Sequence, residues 1–148
     1  MSNPEHTEIL LAEDNPQDAE MTIRALRGAG LAEHLLWVRD GVGVLDFLYR
    51  KGDFAGKHTA RPKLILLDLK MPRLDGIEVL RTIKGDPGTK SIPVVMLTSS
   101  AEESDIAKSY DLGVNSYVVK PVDFPKLNDE VSSAGIYWLF MNRTPKLA

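Results

Sequence analysis

Five short apolar runs punctuate the chain, and each is followed by a stretch with helical spacing. Glu8 to Ala12 (EILLA), His34 to Val38 (HLLWV), Leu64 to Leu67 (LILL), Ile92 to Leu97 (IPVVML) and Asn115 to Val119 (NSYVV) are too short for helices and rich in aliphatic residues. Leu64 to Leu67 do not alternate with polar residues, as expected of a strand covered on both faces. Between the runs, Asn15-Pro16 opens a helix whose Ala19, Thr22, Ile23 and Leu26 share a face, and Gly28 and Gly30 stop it. Helices are also predicted over Gly41–Tyr49, Asp75–Lys84, Ala101–Leu112 and Asp123–Met141. Arg50 to Pro62 is a polar connection, longer than the about two to six residues usual between a helix and a strand.

Strands alternating with helices through five cycles predict an α/β fold: a doubly wound, five-stranded parallel sheet with helices on both faces. Right-handed crossovers leave few topologies, and the flavodoxin-like order 2-1-3-4-5 suits a single domain of this size. The division expected is a polar N-terminal segment over 1–7, the domain over 8–141, and a short tail over 142–148.

The chain has 148 residues, 43% of them apolar, enough for one sizeable core. A net charge of −3 gives no basic footprint for nucleic acid, and the basic loop residues Arg50, Lys51, Lys57, His58 and Arg61 read as a solvated surface. There is no cysteine, hence no disulfide or thiolate chemistry. No apolar leader precedes Glu8, and no run approaches the ~20 residues of a membrane helix, so a cytoplasmic, membrane-free protein is expected.

Candidate chemistry gathers at the strand ends. Strand 1 ends at Glu13-Asp14, strand 3 at Asp68, strand 4 at Thr98 and strand 5 at Lys120. In the proposed topology these five residues share the carboxyl edge of the sheet, where ligands bind. Three carboxylates in one cleft repel one another unless a cation sits among them. An oxygen-only donor set without nearby His or Cys points to Mg²⁺. A carboxylate can attack a phosphoryl group and form an aspartyl phosphate, with the metal, a lysine and a hydroxyl binding the transferred oxygens.

With those motifs in place, the chain resembles the receiver domains of two-component response regulators over roughly Glu8 to Met141. AEDN (Ala12 to Asn15) resembles the family's acidic pair, and LLDLKMPRLDG (Leu66 to Gly76) its phosphoacceptor segment. VVMLTSS (Val94 to Ser100) carries the switch hydroxyl, and SYVVKP (Ser116 to Pro121) the lysine. The resemblance implies that Asp68 accepts a phosphoryl group from a phosphohistidine on a partner histidine kinase. It implies that Asp14 and Asp68 bind Mg²⁺, with Glu13 acting mainly through water and the Lys70 backbone carbonyl completing the set. Lys120 would pair with the phosphate, Thr98 would move toward it, and Tyr117 would follow from an outward to an inward rotamer. The bond before Pro121 would be cis. Glu13 departs from the commoner aspartate, and Lys70 and Ser100 stand where the family varies to set phosphate lifetime.

A narrower resemblance, carried by the Arg50–Pro62 connection, the segment from Ile92 to Asp123 and the aromatic last helix, is to stand-alone response regulators paired with bacterial and cyanobacterial phytochromes. It implies a phytochrome-type kinase as partner. The chain would then be no enzyme beyond self-catalysed phosphoryl acceptance and slow autodephosphorylation. Only Asn142 to Ala148 follow the last helix, so output would pass by protein contact or phosphorelay, without an output domain.

Three rivals lose ground on particular residues. A haloacid-dehalogenase-like phosphatase wants an aspartate where Lys70 stands. A flavin module wants a Ser/Thr/Gly-rich loop where Glu13-Asp14-Asn15-Pro16 stands. A receiver that has lost phosphorylation would lack one of the five competent positions. In the last helix, Phe124, Leu127, Val131, Ala134, Trp138 and Met141 make one core stripe, leaving Ile136, Tyr137, Leu139 and Phe140 for a homodimer contact or another partner.

Overall fold

The computed structural model describes residues 3–145. β1 (Ile9–Ala12), β2 (Leu35–Val38), β3 (Leu64–Leu67), β4 (Val94–Thr98) and β5 (Ser116–Val119) form a parallel sheet in the order β2-β1-β3-β4-β5. The intervening helices are α1 (Pro16–Gly28), α2 (Gly41–Tyr49), α3 (Gly76–Gly85), α4 (Glu103–Asp111) and α5 (Phe124–Ile136). The expected α/β topology is the observed one, with element ends within two residues of expectation except at the C-terminal helix.

Successive residues of a strand face opposite sides of the sheet, and here both sides are buried. Leu10, Ala12, Ile65, Leu67, Val94 and Met96 pack with Val44, Phe47, Leu80 and Ile83 of α2 and α3. Ile9, Leu11, Leu64, Leu66, Val95 and Leu97 pack with Ala19, Leu26, Leu127 and Val131 of α1 and α5. β1 and β3 carry no polar residue at all, and all eight of their residues are buried. α4 is the exception: Ser109 is its one buried residue, and Tyr110 is exposed. The segment before β1 is tied into the fold, with the Ala60 amide donating to the Pro4 carbonyl and Thr7 buried.

The last helix departs from its expected course. α5 ends at Ile136 and continues as one π turn, Tyr137–Met141, with the Asn142 amide donating to the Tyr137 carbonyl five residues back. The wider turn rotates the side chains that follow. Trp138 and Leu139 reach the core, whereas Met141, expected in the core stripe, is exposed. A second correction concerns Pro121: the Lys120–Pro121 bond is trans, like every peptide bond described. The two isomers before proline differ by only about 0.5–1 kcal/mol, so tertiary context decides, and Lys120 reaches its partners from the trans form.

At the amino edge of the sheet, Lys84 closes the entry to β4 and β5. Its ammonium donates to the carbonyls of Lys90 and Ile92 and to Asn115 Oδ1, at 2.8–2.9 Å. All three acceptors are neutral, and burial pulls its pKa down to about 8.

Two glycines sit where a side chain has no room. A Cβ on Gly41 would lie 2.2 Å from the Leu74 carbonyl oxygen, and one on Gly76 would lie 2.2 Å from that of Asp68. The start of α3 therefore leans directly on the backbone after β3. Gly76→Ala is expected to lower unfolding free energy in urea by about 1–3 kcal/mol. Gly85→Ala, whose Cβ meets nothing within 4 Å, should stay within about 0.5 kcal/mol of wild type.

Candidate functional site

The carboxyl edge of the sheet collects the predicted residues. Asp68 follows β3 directly, and its amide donates to the Ala12 carbonyl, which holds the ends of β1 and β3 side by side. Asn15 caps α1, its Oδ1 accepting from the amides of Gln17 and Asp18, with Pro16 in the first turn. This tight exit from β1 leaves Glu13 buried and Asp14 exposed. Glu13 is anchored at both ends: its carbonyl accepts from Trp37 Nε1 at 2.8 Å, and its Oε2 accepts from the Asn15 amide at 3.1 Å.

Glu13, Asp14 and Asp68 each present a carboxylate oxygen within 4.8 Å of the others. Such a set of hard oxygen donors fits a divalent cation of the Mg²⁺ or Mn²⁺ kind. Lys70, whose backbone carbonyl was expected to join them, lies two residues beyond Asp68 with an exposed side chain. Asp68 Oδ1 accepts from the Leu69 amide at 2.7 Å, which orients the carboxylate and leaves Oδ2 facing Lys120 Nζ at 3.5 Å.

Lys120 is the cation that the chain itself supplies. Its amide donates to the Thr98 carbonyl at 2.7 Å, extending the β4–β5 ladder and setting the lysine beside the hydroxyl. Its ammonium donates to Glu13 Oε1 and, at 3.1 Å, to Asp18 Oδ2. Burial opposes the charge on Lys120, but the hydrogen bond to Glu13 and the charges of Asp68 and Glu13 outweigh it and hold the pKa above the usual lysine value. Glu13 shifts the same way. Burial raises its pKa, the Lys120 hydrogen bond opposes this, and Asp68 adds to the rise, to about 7. An ion-paired carboxylate ordinarily shifts down; this one does not, because it is buried and faces a second carboxylate.

Asp18 was not among the expected site residues. Acidic residues in a first helical turn are ordinarily read as companions of the helix dipole. Its one other signal is its place four residues after Asp14, one turn along the helix that begins at the site.

Thr98 is buried, and its Oγ1 accepts from the Ser100 amide at 3.3 Å. Tyr117 packs half-buried against the core, and its hydroxyl donates to the Ser100 carbonyl at 2.9 Å. Ser100 Oγ donates to Asp105 Oδ2 of α4 at 2.6 Å. Ser100 thus links β4, β5 and α4, a role the sequence did not disclose. Beside the site, Asp18, Met21, Ser99, Lys120, Val122 and Leu127 line a cleft of about 250 Å³. Among the described residues, no helix is long and apolar enough to cross a membrane.

Comparison with known proteins agrees with this geometry. Residues 9–132 match the model of the response regulator receiver domain. The chain is 41% identical over 137 residues to the probable methanogenesis regulatory protein FilR2 of Methanothrix harundinacea, covering 93% of this chain and 86% of that protein. It is 40% identical over 138 residues to the response regulator Rcp1 of Synechocystis, covering 93% and 92%. The Mn²⁺-bound structure of Rcp1 superposes with a TM-score of 0.84, at 38% identity over 93% of this chain and 98% of that one. The phosphorylated cyanobacterial phytochrome response regulator RcpA superposes with a TM-score of 0.86, at 40% identity over 95% and 99%.

The raised Glu13 pKa sets a pH dependence. Between about 4.5 and about 7 the folded chain binds this proton more tightly than the unfolded chain. Without a cation, the Glu13 contribution to stability therefore falls as pH rises through that window. A divalent cation must displace the same proton. Calorimetric titration with Mg²⁺ should show affinity falling below pH 7, by up to about tenfold per unit, and levelling off above it.

Proposed function

Because the chain belongs to the response regulator receiver family, we propose that it accepts a phosphoryl group on Asp68 from a partner histidine kinase, with Mg²⁺ held by Glu13, Asp14, Asp68 and the Lys70 carbonyl. The observation that carries this reading is the convergence of Asp68, two further carboxylates, Lys120 and Thr98 at one sheet edge. In the reaction, an Asp68 carboxylate oxygen attacks phosphorus, the P–N bond of the phosphohistidine breaks, and its electron pair returns to the imidazole. The Leu69 amide aims the carboxylate, Lys120 pairs with the phosphoryl oxygens, and the Thr98 hydroxyl binds another. A cation held by these residues would supply neutralisation of charge on the transferring oxygens. The chain catalyses only its own phosphorylation and slow dephosphorylation.

The message then passes by protein contact or phosphorelay, in the cytoplasm. Thr98, Ser100 and Tyr117 form the switch, since their hydrogen bonds already join the site to α4 and β5. The similarity to RcpA and Rcp1 supports a phytochrome-type kinase as the donor. The cleft beside Met21 is where its phosphohistidine helix docks.

The end of the last helix contacts a second copy of the chain. Ile136, Tyr137, Phe140 and Met141 are 42%, 46%, 69% and 66% exposed, an apolar cluster that water does not favour. Phe140 also edges a cleft of about 230 Å³ with Gly30, Leu31 and Leu139. Each copy thus carries both an aromatic knob and an adjoining recess, as a twofold contact requires.

Intact mass after incubation with acetyl phosphate tests the acceptor. One phosphoryl group should appear with Mg²⁺, fail to appear with chelator, and be absent in Asp68→Asn. An adduct that survives in Asp68→Asn would sink the assignment. For the dimer, sedimentation equilibrium of wild type should show self-association that Phe140→Glu weakens at least tenfold; a wild-type monomer at high concentration would end that reading.

A further inference from the structure

We infer that Asp18 is a positioning residue that competes with the phosphoryl group for Lys120. The inference rests on Asp68 being the phosphoryl acceptor. Lys120 Nζ has three protons to donate. One goes to Glu13, and one goes to Asp18 Oδ2 at 3.1 Å. Asp68 Oδ2, at 3.5 Å, is beyond the range of a good N–H···O bond. The ammonium is therefore drawn toward the start of α1 and away from the acceptor. Glu13 stands in the cluster of candidate metal ligands, so cation binding commits its charge elsewhere. Asp18 stands outside that cluster and keeps its hold on the lysine.

The hold is strong enough to matter and weak enough to break. Asp18 is about one-third exposed, whereas Lys120 is 10% exposed. Solvent screens the carboxylate, but the ammonium has little water to fall back on. For Lys120 to reach a phosphoryl oxygen on Asp68, the Asp18 contact has to lengthen. It stabilises the site before phosphorylation and is lost afterwards, so it works against the phosphorylated form. Asp18 also borders the cleft with Met21 and Ser99, so its surroundings change when another protein covers that cleft.

Beryllofluoride, which mimics a phosphoryl group on a carboxylate, is the probe, titrated calorimetrically with saturating Mg²⁺. Asp18→Asn keeps the size and removes the charge. Glu20→Gln, an exposed position on the same helix, makes the same charge change without touching Lys120. Asp18→Asn should tighten beryllofluoride binding about three- to tenfold relative to Glu20→Gln, and Asp18→Glu should return it toward wild type. Mg²⁺ affinity measured alone should match in Asp18→Asn and Glu20→Gln, whereas a structural defect at the site would weaken both ligands together. Equal or weaker beryllofluoride binding in Asp18→Asn than in Glu20→Gln overturns the inference and leaves the acceptor reading standing. No beryllofluoride binding by wild type overturns the acceptor reading, and the role of Asp18 with it.

Discussion

Buried carboxylates that face one another need a positive charge between them, and the chain meets that need with Lys120. Its ammonium touches residues delivered by three segments: Glu13 after β1, Asp18 in α1 and Asp68 after β3. The reason these meet is the sheet order. β1 lies between β2 and β3, so the exits from β1 and β3 are neighbours while their helices leave on opposite faces. The crevice between those exits is what a doubly wound sheet offers any ligand. The acidic residues make it fit for a cation, and the lysine sets a positive charge beside them.

The same arrangement explains why small parts of the backbone carry so much. Gly76 has no side chain because the Asp68 carbonyl occupies the space a Cβ would need. Asp40 caps α2 and also pairs with Arg73, at 2.8 Å and 3.1 Å, so the loop after Asp68 is tied to the helix after β2. Arg73 itself sits at φ 65°, in the left-handed region. The loop around Asp68 is thus restrained by neighbours rather than by its own preference.

Most of the fold, and the gathering of Glu13, Asp14, Asp68, Thr98 and Lys120 at one sheet edge, were legible in the sequence, because apolar runs ending in charged or hydroxyl residues carry their meaning locally. What escaped depended on contacts between distant segments. Asp18 looks like an ordinary first-turn acid until Lys120 arrives from the other end of the chain. Ser100 shows its reach only when β4, β5 and α4 are assembled. Periodicity placed Met141 in the core, but one π turn shifts the register and brings Leu139 in instead. The trans bond before Pro121 follows the same logic, since an X–Pro dipeptide does not encode its isomer.

Lys84 gives this architecture an anchor. At the amino edge its ammonium binds the entries of β4 and β5 to the end of α3 through three neutral oxygens. At the carboxyl edge the same two strands end in Thr98 and Val119, next to a helix with a single buried residue. β4 stays buried to its last residue, whereas β5 is only partly buried and ends on an exposed Val119. Lys120 is thus carried by the least buried of the five strands, and the ammonium that fastens that strand lies at its opposite end.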